Sequence, residues 1–264
     1  MSKENENALI GFSGFVGSTL LKQAKFDHLY RSTNISEIKN KSFNLVVCAG
    51  APAQKWLANR DPHADNLKIL NLIDQLSTIK AQKFILISTV DVFKNPVSVN
   101  EETPIDENGL NAYGFNRRLL EKFVENQFSE SLIIRLPGLV GPGLRKNIIF
   151  DFLNNNNLNL IDSRAVFQFY PMVNLWSDIQ IALNEKLNLL HLTSSPISAE
   201  EVSNLGFGRL FNNILDSKPA VYDFQTCHSH IFGKNGNYQY DKSETLLAIR
   251  SYAQSEPNSK MDVK

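Results

Sequence analysis

The chain has 264 residues, 42% of them hydrophobic, and sets 27 basic side chains against 27 acidic ones. That length supports one large domain, or a domain and a half, with a real core. The balanced charge gives no footprint for nucleic acid or an anionic membrane surface. Two cysteines, Cys48 and Cys227, are too few for a disulfide framework, and no apolar run is long enough to span a bilayer.

The polar N-terminus reaches an apolar run by Ala8, which leaves no room for a signal peptide and predicts a soluble, cytoplasmic protein. The first strand, Ala8–Ile10, ends in Gly11-Phe12-Ser13-Gly14-Phe15-Val16-Gly17, and a helix over Phe15–Lys25 follows at once. In such a strand-turn-helix the first glycine allows the turn. The second lets the backbone approach a pyrophosphate, and the third lets helix pack on strand. Phosphates sit on N–H groups at the positive end of the helix. The spacing is Gly-x-x-Gly-x-x-Gly rather than the commoner Gly-x-Gly-x-x-Gly. A turn of this kind also serves as plain punctuation between elements.

Further strands are predicted at His28–Tyr30, Leu45–Ala49, Phe84–Ser88 and Leu132–Leu136. Helices are predicted over Pro52–Ile79, with a break near Pro62, and over Tyr113–Phe128. The alternation predicts an α/β fold of Rossmann type, a doubly wound parallel sheet covered on both faces. Ligands on such sheets bind beyond the carboxyl ends of the strands, where Gly11, Gly50, Thr89 and Pro137 all fall. Cys48, inside an apolar strand, reads as a small core residue. After Gly143 the pattern loosens. Residues 154–157, four asparagines, read as a turn or loop. Leu158–Ile161 and Val166–Tyr170 read as short strands, and Leu175–Leu187, Ala199–Leu205 and Ser243–Ala253 as helices. The polar tail from Gln254 reads as frayed. Trp56 and Trp176 lie on helical patterns and are expected in a core or an interface. Cys227, His228 and His230 lack the spacing of a zinc site, so they read as pocket or surface groups and no metal is expected.

Two later segments carry chemistry. Lys83–Phe93 is an apolar strand ending in Ser88, Thr89 and Asp91, and Tyr113-Gly114-Phe115-Asn116-Arg117 opens a helix. A Thr, a Tyr and a cation four residues after the Tyr suit redox chemistry at a carbinol. With GFSGFVG (11–17), VVCAGA (46–51), ISTVDVF (87–93), YGFNR (113–117) and IIRLPGLVGPG (133–143) in that order, the chain resembles the extended short-chain dehydrogenase/reductase family. These are sugar-nucleotide epimerases, dehydratases and reductases. The resemblance runs from Ala8 to about Pro171. It implies an NAD(P)-binding Rossmann domain over 1–143, its core completed by short segments further on, and a small substrate-binding region over 144–264. It also implies hydride transfer on a nucleotide-linked sugar, by epimerisation or carbonyl reduction.

The resemblance makes Tyr113 the acid/base and gives Thr89 a hydrogen bond to the substrate oxygen. A free phenol has a pKa near ~10, and a nearby cation lowers it. The family usually places a lysine four residues after the Tyr, which also holds the nicotinamide ribose. This chain has Arg117, one turn along and on the same face, with a bulkier fork of donors. Read without the family motifs, Tyr113 caps a surface helix and Arg117 is a solvated charge. Ser88 reads as structural. Asp91 matches an acidic residue that dehydratases use as a base, or is a loop carboxylate taking backbone hydrogen bonds.

For the cofactor, the resemblance assigns Gly11, Ser13, Gly14, Phe15, Val16 and Gly17 to the pyrophosphate. Ala49-Gly50-Ala51, where small residues allow close approach, falls beside the ribose, with Tyr113 and Arg117. Pro137 and Gly138 fall at the nicotinamide. NAD-binding relatives prefer an acid after the second strand, and Asp27 comes too early for that. Arg31 and Ser32 stand there instead and offer charge-assisted donors to a 2′-phosphate, so NADP is expected over NAD; an ordinary solvated turn is the other reading. Arg145, Lys146 and Asn147, at a helix start, suit a substrate diphosphate or form a solvated basic turn. The C-terminal part is short, so the pocket is small, open or completed by a second subunit in a homodimer. The other class of reading is an NADP-binding sensor or scaffold without turnover, motivated by Arg117.

Overall fold

The structure is a computed structural model and describes residues 6–257. In chain order the strands are β1 (Asn7–Ile10), β2 (His28–Tyr30), β3 (Ser42–Cys48), β4 (Lys80–Thr89), β5 (Val97–Val99), β6 (Ser131–Leu136), β7 (Gly138–Val140), β8 (Val166–Phe167), β9 (Phe169–Pro171), β10 (Leu189–His191), β11 (Ile197–Ser198) and β12 (Asp223–Phe224). The helices are α1 (Phe15–Gln23), α2 (Lys55–Arg60), α3 (Pro62–Leu76), α4 (Ala112–Gln127), α5 (Ile148–Asn154), α6 (Leu175–Asn184), α7 (Ala199–Glu201) and α8 (Lys242–Ser255). The chain forms two compact units, each built from separate stretches. The first joins the chain up to Lys94 with Thr103–Arg135 and Leu175–Leu190; the second joins Asn95–Glu102, Leu136–Asn174 and the chain from His191 on.

The first unit is a Rossmann-type α/β layer structure. Its sheet has the order β10-β6-β4-β3-β1-β2, and the pairs β1–β2, β1–β3 and β3–β4 are parallel. The strands are apolar because both sheet faces are covered: Val46, Val47, Phe84, Ile85, Ile133 and Ile134 are all buried. β1 lies between β2 and β3, so the chain leaves it first to one side and later to the other. That reversal is the topological switch point, where a crevice opens at the carboxyl ends of β1 and β3.

The break near Pro62 is present. Arg60 ends α2 and Pro62 takes the first position of α3, where its missing N–H costs nothing. Asp61 caps α3 through Ala64 N–H at 3.0 Å. Asp61→Ala is expected to lower stability by about 1 kcal/mol, read as a drop in the urea midpoint at constant slope; an unchanged midpoint would contradict the cap. The first helix of the pair begins at Lys55 rather than Pro52, because the Pro52 carbonyl accepts from the Arg117 guanidinium instead of from a helical N–H. Ser88 is structural: its hydroxyl donates at 2.5 Å to the fully buried Glu121, which also takes two hydrogen bonds from Arg135, at 3.0 and 2.8 Å.

In the second unit, β7 pairs with β9 in parallel, β8 with β11 antiparallel, and β5 with β12 in parallel. The strand expected at Leu158–Ile161 is a 3-10 turn over Leu158–Leu160. Asn157 enters it with φ 50°, a left-handed start that tightens the chain, and Leu160 is 68% exposed, so the apolar run has no sheet to enter. The strand expected at Val166–Tyr170 is two strands that break at Gln168. That buried amide donates to Ser194 O and Phe224 O and accepts from Phe224 N–H, so it joins three segments. The helix expected at Ala199–Leu205 begins as α7 behind a Ser198 capping box and continues as a π-helical turn over Val202–Gly206. The asparagine run leaves α5 through Asn155 in the left-handed region, as expected of a turn. The predicted frayed tail is helical through Ser255, and its residues beyond 257 lie outside the described residues. No helix among the described residues is long and apolar enough to cross a membrane.

Candidate active site

The glycine turn follows β1 directly, at the switch point. Gly11 has φ +84°, and a Cβ there would lie 2.3 Å from Ala49 O; a Cβ on Gly17 would lie 2.1 Å from Gly11 O. Both are glycines because the chain itself demands it. Gly14 differs. Its φ is −78°, and the only heavy atom near its would-be Cβ is Gly11 O at 3.5 Å, an ordinary contact. Among the described residues, none crowds a Cβ at that position. Gly14 is also the N-cap of α1, with no side-chain cap on the first-turn N–H groups. Phe15 and Val16 supply that first turn, and Ser13 is exposed beside it. The turn therefore leaves space and donors for an anionic group.

Ala49, Gly50 and Ala51 follow β3, with Ala49 N–H bonded to Ile10 O at 2.9 Å. Arg31 and Ser32 follow β2 and are exposed. The Arg31 guanidinium lies 5.8 Å over the Phe12 ring of the glycine turn, and its Nε donates to Thr33 Oγ1 at 3.0 Å. Asp27 takes the Asn7 N–H at 2.8 Å.

Thr89 ends β4, and Tyr113 stands in the first turn of α4, which Asn111 caps through Gly114 N–H at 3.0 Å. The Thr89 hydroxyl hydrogen-bonds the Tyr113 side chain. Burial raises the Tyr113 phenol above its ordinary value. The Arg117 guanidinium, the Thr89 hydrogen bond and the Lys55 ammonium oppose the rise, and the Asp91 carboxylate adds to it. At neutral pH the group is a protonated phenol.

Arg117 is 3% exposed, with its guanidinium 4.0 Å over the Tyr113 ring. Its NH1 and NH2 donate to both oxygens of Asp65, which is 5% exposed, and NH2 also donates to the Pro52 carbonyl. Asn116 adds a hydrogen bond to Asp65 at 2.8 Å. Only Nε lacks a protein partner. Arg117 is thus neither a solvated charge nor an open donor fork; it holds α4 to α3. Asp91 carries neither a free carboxylate nor a backbone clamp: its Oδ1 accepts from Lys55 Nζ at 2.6 Å. Sequence reasoning did not single out Lys55, Asn59 or Asp65. For Asp65 a signal existed, since it shares the buried stripe of α3 with Ile69, Leu72 and Leu76, and an acid on such a stripe calls for a buried partner.

The second unit holds the remaining candidates. Pro137 and Gly138 join β6 to β7, and a Cβ on Gly138 would lie 2.5 Å from Gln168 O. Asn147 caps α5 through Ile149 N–H at 3.0 Å and donates to Leu139 O at 2.8 Å, so its amide is held locally; Arg145 and Lys146 are exposed. A cavity of about 330 Å³ in this unit is lined by Val140, Pro142, Leu247, Ala248 and Tyr252 among others, and none of those three residues borders it. Glu101, Cys227 and His228 lie together. The Glu101 oxygens accept from His191 N–H, Thr226 Oγ1, Cys227 N–H and Cys227 Sγ, which makes the carboxylate a clamp on this loop. Cys48 is fully buried, with its thiol pushed up to about 11 by burial. Trp56 is 62% exposed beneath the Arg60 guanidinium rather than in a core, while Trp176 packs edge-on against Phe26.

No family model matches the chain, and no curated protein matches it. Solved structures do. The enzyme WbmG of Bordetella bronchiseptica in complex with NAD superposes with a TM-score of 0.74 at 14% identity, over 96% of this chain and 95% of that one. The dTDP-4-dehydrorhamnose reductase of Bacillus anthracis in complex with NADP gives 0.71 at 15% identity, over 96% and 100%. A UDP-galactose 4-epimerase gives 0.70 at 14% identity, over 94% and 97%. At such identities the likeness establishes the fold, which all three share with this chain.

Proposed function

We propose that the protein is an NAD(P)-dependent enzyme that modifies a nucleotide-linked sugar by carbonyl reduction or epimerisation. The observation that carries this reading is one cluster in the first unit. The Thr89 hydroxyl bonds the buried Tyr113 phenol at the carboxyl end of the sheet that carries the open glycine turn at its switch point. The similar structures support it, since they are a reductase with NADP and an epimerase for nucleotide sugars.

The residues present fit a nicotinamide dinucleotide. Gly14 leaves open the space a Cβ would fill, and the uncapped first turn of α1 faces it. When bound, the nicotinamide supplies or takes the hydride. Tyr113 O–H gives its proton to the substrate oxygen, and Thr89 orients the phenol and that oxygen. A protonated phenol is ready to act as the acid in carbonyl reduction. Arg117 keeps the ring in place from behind through Asp65. In the second unit, Pro137 and Gly138 are assigned to the nicotinamide and the exposed Arg145 and Lys146 to the substrate diphosphate by their place in the sequence.

Arg31 and Ser32 set a preference for NADP. Charge-assisted bonds to a 2′-phosphate are worth roughly 1.5–3 kcal/mol each, about tenfold or more in affinity. Arg31→Ala is expected to weaken NADP about tenfold more than NAD in fluorescence titrations. Equal loss for both cofactors would remove Arg31 from phosphate recognition. The enzyme reading as a whole is tested by product analysis with a panel of nucleotide-linked sugars; cofactor binding with no product from any of them would favour a sensor.

A further inference from the structure

The Tyr113 phenol is buried, and when it gives up its proton a negative charge appears in a poorly solvated place. Two cations, Arg117 and Lys55, and the Asp91 carboxylate act on it electrostatically. Arg117 comes from α4, but its guanidinium lies over the ring rather than at the oxygen, and it is pinned by Asp65 from α3 and by the Pro52 carbonyl. A buried pair of this kind resists separation, because each partner would be left uncompensated. Lys55 comes from α2. Its ammonium is 2.6 Å from Asp91 Oδ1, and its side chain is 41% exposed. The Asp91 side chain is 17% exposed, so the pair is partly buried; a single ion pair at a half-exposed lysine opens more readily than the buried Arg117–Asp65 pair.

Geometry ties Lys55 to the phenol. Asn59, one helical turn along α2 and on the same face, accepts the Tyr113 N–H at 3.0 Å. Asp91 N–H donates to Thr89 Oγ1 at 3.2 Å, and Thr89 bonds the Tyr113 side chain. The Asp91 carbonyl lies so close to α4 that a Cβ on Gly114 would sit 2.1 Å from it. α2, the turn after β4 and the start of α4 are therefore locked together around the phenol.

We propose that Lys55 supplies the cation of the acid/base unit: its ammonium, held ready by Asp91, turns to the Tyr113 oxygen and stabilises it as the proton leaves. The role rests on the reading of Tyr113 as acid/base, and the charge it supplies is measurable without turnover. In carbonyl reduction the hydride comes from the reduced nicotinamide, and the carbonyl π pair moves to the substrate oxygen, which takes the Tyr113 proton. The O–H pair stays on the phenol as phenolate beside Lys55 until solvent returns a proton.

The test is the phenol titration of the cofactor-free protein carrying tyrosine labelled with carbon-13 at the phenolic carbon, with Tyr113→Phe identifying the signal. Lys55→Met is expected to weaken ionisation about tenfold, and Asp91→Asn to strengthen it. The decisive comparison is Lys55→Met in the Asp91→Asn background. A further weakening of about tenfold there supports the proposal, since no carboxylate remains for Lys55 to screen. An unmoved titration there overturns it. Lys55→Arg is expected to restore most of the ionisation; no restoration would count against a role of charge. If the wild type turns over no nucleotide-linked sugar and yet the titrations shift as stated, the functional reading fails while Lys55 remains the cation that stabilises the phenolate.

Discussion

Tyr113→Phe is expected to lower turnover about a hundredfold or more while cofactor binding is retained. The ring stays, so the packing of the Arg117 guanidinium at 4.0 Å survives, and only the proton carrier and its bond to Thr89 are lost. The pH dependence follows from the same group. Burial holds the phenol above its ordinary value near ~10. As an acid Tyr113 is active when protonated, so kcat/KM for carbonyl reduction is expected to stay level through neutral pH and to fall only on the alkaline side. A rate that climbs with pH through that range would mean that a deprotonated group starts the reaction. Undiminished turnover in Tyr113→Phe would remove the mechanism.

Gly14→Val is expected to abolish tight NADPH binding while the protein stays folded. The backbone at Gly14 is one that any residue adopts, and the first contact of a new Cβ is at 3.5 Å, so the fold is expected to survive, at a cost of about 1 kcal/mol for valine at the α1 N-cap. The branched side chain then fills the space over the first turn of α1. Losing two charge-assisted bonds to the pyrophosphate corresponds to about 3 kcal/mol or more, roughly a hundredfold in affinity. Gly17→Val is the contrasting variant. It puts a Cβ 2.1 Å from Gly11 O, so it is expected to destabilise the protein with or without cofactor. If Gly14→Val is folded and binds NADPH as tightly as the parent, the pyrophosphate site lies elsewhere.

The glycine turn, the core strands and the Thr89 and Tyr113 pair were legible because each is a local pattern: an apolar run with a glycine, hydroxyls or a helix start at its end. The switch point was not, because the placing of β1 between β2 and β3 is a tertiary fact. The environment of Arg117 was misread for the same reason. Four-residue spacing puts it under Tyr113, but only the packing of α3 on α4 reveals that Asp65 claims its donors. Glu121 repeats the lesson, as an acid on the buried stripe of α4 whose partner, Arg135, comes from β6. Lys55 carried no signal in the sequence. It opens a six-residue helix far along the chain from Tyr113, and it acquires meaning only through Asp91 and Asn59. Leu158–Ile161 failed as a strand because a left-handed Asn157 outweighs a short apolar run.

The central claim is hydride transfer to a nucleotide-linked sugar with Tyr113 as proton donor. Its most direct test is to incubate the protein with NADPH deuterated at the transferable nicotinamide position and a panel of nucleotide-linked keto sugars, then to analyse the sugars by mass spectrometry. Deuterium on a sugar carbon with the wild type, and its loss in Tyr113→Phe, is the predicted result. Bound NADPH with no deuterium in any sugar would contradict the claim and leave a protein that holds its cofactor without using it.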